Sequence, residues 1–245
     1  MIRFLIACIT VIGFLILSIP VMLVEWIVGK FSPNLKDRRS LKIVNCVFSL
    51  ILWEAGTKIT VLGEENVPKD TAVLYVANHR SFFDILVTYV RVPRPTGYIS
   101  KKELEKVPLL NVWMRYLNCL FMDRTDIKKG LQTILEGVEK LKNGISICIF
   151  PEGTRNTGEE GTVLNFKEGS FKMATKSGCP IIPVAISNTI EIWEAHMPFI
   201  RKTHVIIEYG KPINSKELPK EEQKFIGAYC QKQIETMLNK NKDLI

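Results

Sequence analysis

Residues 72–90 read AVLYVANHRSFFDILVTYV, and this stretch decides the fold. Ala72–Ala77 is a short, wholly apolar run of the kind that forms a buried strand. Ser81–Val90 has helical character and opens on a serine start signal. Asn78, His79 and Arg80 lie between them as a turn. Strand, turn and helix in immediate succession are the repeating unit of an α/β sheet.

The unit recurs on both sides. Lys58–Leu62, Tyr98–Ser100, Cys119–Met122, Ile145–Phe150, Ile181–Ile186 and Val205–Glu208 are further predicted strands. Helical segments are expected at Leu109–Leu117, Ile127–Lys142, Phe171–Lys176 and Lys220–Asn239. Asn143 and Gly144 close the second of these in the manner of a C-cap. The expected architecture is α/β: a mixed, partly parallel sheet flanked by helices, occupying residues 57–245.

His79 and Asp84 are five positions apart, so on one helix they would point about 140° away from each other. They meet only if the histidine sits in the turn and the carboxylate in the first helical turn. A carboxylate on one ring nitrogen fixes the tautomer and leaves the other nitrogen free to take a proton from an alcohol. The competing reading is purely structural: Ser81-Phe82-Phe83-Asp84 also fits the [ST]-x-x-[DE] capping box.

A second loop with chemical capacity is Phe150-Pro151-Glu152-Gly153-Thr154-Arg155-Asn156, again directly after a strand. Pro151 ends the strand, Gly153 admits close backbone approach to a ligand, and Arg155 offers a planar fork matched to phosphate oxygens. Lys101 and Lys102 follow a third strand and Arg124 a fourth. Cations delivered after several strand ends favour a phosphate-bearing substrate over scattered solvated charges. His196 and His204 have no partner ligands at metal-binding spacing, and neither a G-x-x-x-x-G-K-[ST] loop nor a G-x-S-x-G elbow occurs.

The 245-residue chain is 47% apolar and 24% charged, which is the composition of a folded protein, with a net charge of +8. That charge suits nucleic acid, an anionic membrane surface or an acidic carrier protein, and the N-terminus selects among them. Phe4–Val24 carries no charge and as one helix would be about 30 Å long, enough for a bilayer core. No small-residue cleavage site follows, which favours a retained anchor over a signal peptide. Lys30, Lys36, Arg38 and Arg39 come next and place the remainder on the cytoplasmic face if the helix spans. Leu41–Trp53 is a second apolar stretch, in which Arg38, Lys42, Asn45 and Ser49 form one narrow polar stripe. Pro33 and Asn34 mark the turn between two membrane-associated helices within residues 1–56. Whether the first spans or only dips into one leaflet is left open by the sequence. The six cysteines are scattered singly with no C-x-x-C pair, as in a reducing compartment.

Taken together, these motifs resemble the glycerolipid acyltransferases, specifically the bacterial 1-acyl-sn-glycerol-3-phosphate acyltransferases. Asn78–Asp84 matches the N-H-x-S-x-x-D block and Cys119–Arg124 the block ending F-[IVLM]-D-R. Phe150–Arg155 matches F-P-E-G-T-R, and Ile182–Ile186 the proline-containing strand. Asn118 and Asn156 stand where the family often has Gly and Ser. The resemblance implies that His79 is a general base oriented by Asp84. It implies that Lys101, Arg124, Glu152, Gly153, Thr154 and Arg155 hold the glycerol-phosphate end of an acceptor. It further implies a fatty acyl thioester of CoA or acyl carrier protein as donor, lysophosphatidic acid as acceptor, an anionic membrane as surroundings, and no metal, cofactor or nucleic acid. Another acceptor, such as glycerol-3-phosphate, and a non-catalytic phospholipid-binding protein of the same fold are the alternative readings.

Overall fold

The computed structural model describes residues 1–245. Three helices come first: α1 (Ile2–Leu17), α2 (Ile19–Phe31) and α3 (Pro33–Ala55). The sequence predicts one uninterrupted helix over Phe4–Val24, and the structure corrects this. The helix breaks at Ser18, and α1 and α2 diverge by 51°. Pro20 supplies the reason, since it has no N–H to give to Ile16 and its ring crowds that carbonyl. With 16 residues α1 is about 24 Å long, so no single helix is long and apolar enough to cross a membrane. The expected pair of helices is therefore three. The second turn falls at Ser32, and Pro33 is the first residue of α3 rather than part of the turn. Gly56, at φ +73°, terminates α3 in the left-handed conformation.

The strands are β1 (Lys58–Leu62), β2 (Leu74–Ala77), β3 (Thr96–Lys101), β4 (Leu120–Met122), β5 (Ser146–Ile149), β6 (Ile181–Ser187) and β7 (His204–Tyr209). They form one seven-stranded sheet in the order β1-β7-β6-β2-β5-β3-β4. All neighbours are parallel except β6 and β7. β2, β5 and β6 are buried along their whole length, which is why they read as unbroken apolar runs without alternation.

Helices α4 (Phe83–Tyr89), α5 (Leu110–Tyr116), α6 (Ile127–Lys142), α7 (Lys172–Ser177), α8 (Lys220–Lys224) and α9 (Ile226–Asn241) complete the fold. The single C-terminal helix expected over Lys220–Asn239 is interrupted at Phe225, where ψ is 44°. One face of the sheet packs on α6, α7 and α9 through Leu74, Ile147, Val138, Met173 and Ile234. The other face packs on the N-terminal helices and α4. Val44, Ile51 and Leu52 of α3 share a core with Tyr75, Tyr98 and Val184 of the sheet.

Candidate active site

β2 delivers His79 two residues beyond its carboxyl end, and its neighbour β5 delivers the Pro151–Asn156 loop on the same edge. β3 and β4, the next two strands in order, end at Lys101 and just before Arg124. Four adjacent parallel strands thus bring the four predicted segments to one rim, where open α/β sheets bind ligands.

His79 Nδ1 lies 2.8 Å from Asp84 Oδ2. The same oxygen accepts the backbone N–H groups of Arg80 at 2.7 Å and Ser81 at 2.8 Å. Asp84 Oδ1 accepts the Thr189 hydroxyl. The Ser81 Oγ accepts the N–H of Phe83 at 2.9 Å. The capping arrangement and the His–Asp pair, which the sequence presented as rivals, are thus built around one carboxylate. Asp84 is buried, while the His79 side chain keeps 17% of its surface exposed. Because Asp84 is an acceptor for three donors on one oxygen, Nδ1 carries the proton and Nε2 is left with a free lone pair. Phe150 stacks on the imidazole, with ring centroids 4.1 Å apart, and prevents it from rolling.

The two loops are tied through the backbone of His79. Its N–H donates to Glu152 Oε1 at 2.7 Å, and its C=O accepts the N–H of Asn156 at 2.7 Å. Glu152 Oε2 accepts the N–H of Leu164 at 2.7 Å. Each Glu152 oxygen thus accepts a backbone amide, so this carboxylate braces the two loops against each other. Burial pushes its carboxyl above the ordinary range, and the Leu164 and His79 N–H groups partly counter that shift. Asn156 is buried and bonds to the Gly158 and Thr162 segment, which accounts for an amide at this position. Arg80 is likewise structural: it is buried, donates to the Gly158 and Glu159 carbonyls and pairs with Glu160.

Gly153 adopts φ +75°, and the Nζ of Lys167 would lie 2.7 Å from a Cβ built there. Arg124 donates to the Gly153 carbonyl. Thr154 and Lys101 are exposed at the rim. Lys102, by contrast, points to Asp123 at 2.8 Å, and that contact holds the Asp123 carboxyl well below the usual range. Arg155 lies over the Phe82 ring, 3.9 Å from its centroid, with 35% of its side chain exposed.

The matches to known proteins fall on this same region. Residues 58–187 match the acyltransferase family model. The chain belongs to the acyltransferase family. The 1-acyl-sn-glycerol-3-phosphate acyltransferase of Borreliella burgdorferi is 32% identical over 80% of this acyltransferase and 78% of that relative. The Saccharomyces cerevisiae enzyme of the same name is 31% identical over 81% of the chain and 65% of its own length. The crystal structure of the 1-acyl-sn-glycerophosphate acyltransferase PlsC from Thermotoga maritima superposes with a TM-score of 0.84 at 27% identity. That superposition covers 98% of this chain and 95% of that one.

Two residues of the acyltransferase site had no signal in the sequence. Thr189, just past the carboxyl end of the neighbouring β6, donates its hydroxyl to Asp84. Glu194 accepts the Phe82 N–H and the Ser81 hydroxyl, both at 2.7 Å, and its Oε1 lies 3.3 Å from Arg155 Nη1. Both come from the irregular turns after β6, more than a hundred residues away, where nothing local marks them. No group of three or more His, Cys, Asp or Glu side chains forms a metal-type ligand set, and His196 is paired with Glu191 at 2.7 Å.

Proposed function

We propose that the protein transfers a fatty acyl group from a thioester to the sn-2 hydroxyl of 1-acyl-glycerol-3-phosphate, giving phosphatidic acid. The named function of its relatives supports the acceptor. The observation that carries the mechanism is the 2.8 Å His79–Asp84 contact, held beside the arginine loop by the bonds of the His79 backbone.

The acceptor hydroxyl lies against Nε2 of His79. The ring takes the hydroxyl proton as the oxygen attacks the acyl carbonyl carbon, and Asp84 stabilises the imidazolium that forms. Collapse of the tetrahedral intermediate breaks the C–S bond, and the leaving thiolate of CoA or acyl carrier protein takes the proton back from Nε2. Arg155, Arg124 and Lys101 carry the positive charge that meets the acceptor phosphate, and Gly153 and Thr154 form the floor of that pocket. Glu152 keeps the pocket and the base in register.

Substrates of this kind reside in a bilayer. The outer faces of α1 and α2 suit its surface, since Ile2, Leu5, Ile9, Ile12 and Ile16 recur three or four residues apart and are all exposed. An assay in neutral detergent with acyl-CoA and acyl carrier protein offered in parallel, and with several lysolipid acceptors and glycerol-3-phosphate, tests the reading. Acylation of lysophosphatidate above the other acceptors is the expected result. His79→Ala should lower turnover at least ~10²–10⁴-fold, and retention of near-normal turnover would refute the assignment of the base.

A further inference from the structure

The polar stripe Arg38–Lys42–Asn45 plays no part in the chemistry above. It lies on α3, and in the folded chain it forms one wall of a crevice of about 900 Å³. The opposite wall comes from the segments that precede β2, β3 and β5, with Lys69, Arg94 and Gly144 among them. The crevice therefore opens at the amino ends of the strands, across the sheet from His79.

Its lining is predominantly cationic. Five cations line it, against the carboxylates of Asp37 and Asp70. Arg39 is engaged by Glu25 at 2.8 Å and Asp37 by Lys36 at 3.0 Å. Arg38, Lys42 and Lys69 are exposed and belong to no ion pair. Arg94 and Asn45 also line the crevice, and the Arg94 guanidinium donates to the Lys69 carbonyl. Three exposed cations without a partner carboxylate, gathered on one crevice, mark a site for an anion. The volume lies in the range of small-ligand pockets.

The crevice also adjoins the apolar surface. Leu35 lines it, and Phe31, four residues earlier, is 86% exposed. One turn further back Lys30 Nζ sits 3.6 Å over the Trp26 ring. Aromatic and lysine side chains at the end of an exposed apolar helix face mark the headgroup level of a bilayer.

We propose that this crevice binds the headgroup of an anionic membrane phospholipid, at a site separate from the catalytic one. The phosphodiester meets Arg38, Lys42 and Lys69. The enzyme then holds a structural lipid at one end of the sheet while a substrate lipid reacts at the other.

The test is flotation of the full-length protein with phosphatidylcholine vesicles containing or lacking phosphatidylglycerol. The variant Arg38→Ala/Lys42→Ala/Lys69→Ala is compared with Lys216→Ala/Lys220→Ala/Lys224→Ala, which removes the same charge from exposed positions elsewhere. Each cation near an anionic surface is worth about fivefold in partitioning, so the crevice variant should bind phosphatidylglycerol vesicles on the order of a hundredfold more weakly. It should keep its affinity for pure phosphatidylcholine and its activity in neutral detergent, and the control should lose much less. Equal losses in the two variants would reduce the effect to general charge and overturn the site, as would no loss in the crevice variant. Soluble glycerol phosphate offers the same chemistry. If it raises the melting temperature of the wild type alone while vesicle binding is the same in both proteins, the site belongs to a soluble ligand and the proposal fails.

Discussion

Asp84 concentrates more structural duty than any other side chain of the site, and this separates two substitutions that a motif treats alike. His79→Ala removes a ring that is partly exposed and leaves the remaining donors to Asp84 satisfied. Asp84→Ala strands the Arg80 and Ser81 amides and the Thr189 hydroxyl inside the protein. Each buried, unsatisfied group costs about 1–3 kcal/mol. Thermal melts should therefore show Asp84→Ala several degrees below His79→Ala, although both lose activity; matching melts would mean that the turn tolerates the loss of its anchor. Arg155→Ala should chiefly raise the KM for the acceptor, because a phosphate contact exists in ground and transition states alike. A fall in kcat at constant KM would contradict that role. His79, Asp84 and Arg155 were legible in the sequence because each sits at a fixed offset from a strand end. Glu152 was legible as a member of its loop, but its two bonds to backbone amides were not, since an acidic side chain gives no sign of which amides will reach it. Glu194 and Thr189 were not legible, because tertiary folding alone brings them to the site.

At the level of elements, the central strands β2, β5 and β6 were readable because they are buried runs, and the helices were misjudged where a single residue interrupts an apolar pattern. Pro20 breaks the first helix although the run from Phe4 to Val24 continues through it, and hydropathy does not register a missing N–H. Phe225 interrupts the last helix with no proline or glycine to announce it. Asn118, which departs from the glycine common in its block, adopts φ +62°, a conformation that asparagine tolerates better than other side chains. Its carbonyl lies against Gly97 of β3, so closely that a Cβ there would sit 2.1 Å from the oxygen. That oxygen belongs to the backbone and cannot swing aside. Gly97→Ala should therefore destabilise the β3–β4 edge by about 1–3 kcal/mol or more, measurable as a lowered denaturant midpoint; an unchanged midpoint would show that this turn can shift.

Over the whole molecule, one core joins the N-terminal helices to the sheet and a second fills its other face, and together they enclose ionisable groups that have no partner charge. Burial raises the phenols of Tyr75, Tyr89, Tyr98 and Tyr209 and the thiols of Cys119, Cys148 and Cys230. The unfolded chain releases these protons from about pH 8.5 to 10, whereas the native state retains them, so the unfolded state binds fewer protons as the pH rises. Stability is accordingly full below that window and declines progressively above it. Denaturant midpoints measured at about pH 8 and about pH 10.5 should differ, with the alkaline value lower. At neutral pH the exposed Cys46 should be alkylated first and the three buried thiols only on unfolding. Early labelling of Cys148 would mean that the core opens more readily than its packing implies.

The first helix also reaches the anion pocket through a train of rings. Phe4 stacks on Trp193 at 5.6 Å, Trp193 leans on Phe82 at 6.0 Å, and Phe82 carries the Arg155 guanidinium on its face. Purification is therefore not neutral towards kinetics. A surfactant that pried the amino-terminal residues from the body would loosen the support of the Arg155 guanidinium three side chains away, and if that group holds the acceptor, the apparent affinity would become a property of the micelle in which the enzyme was prepared.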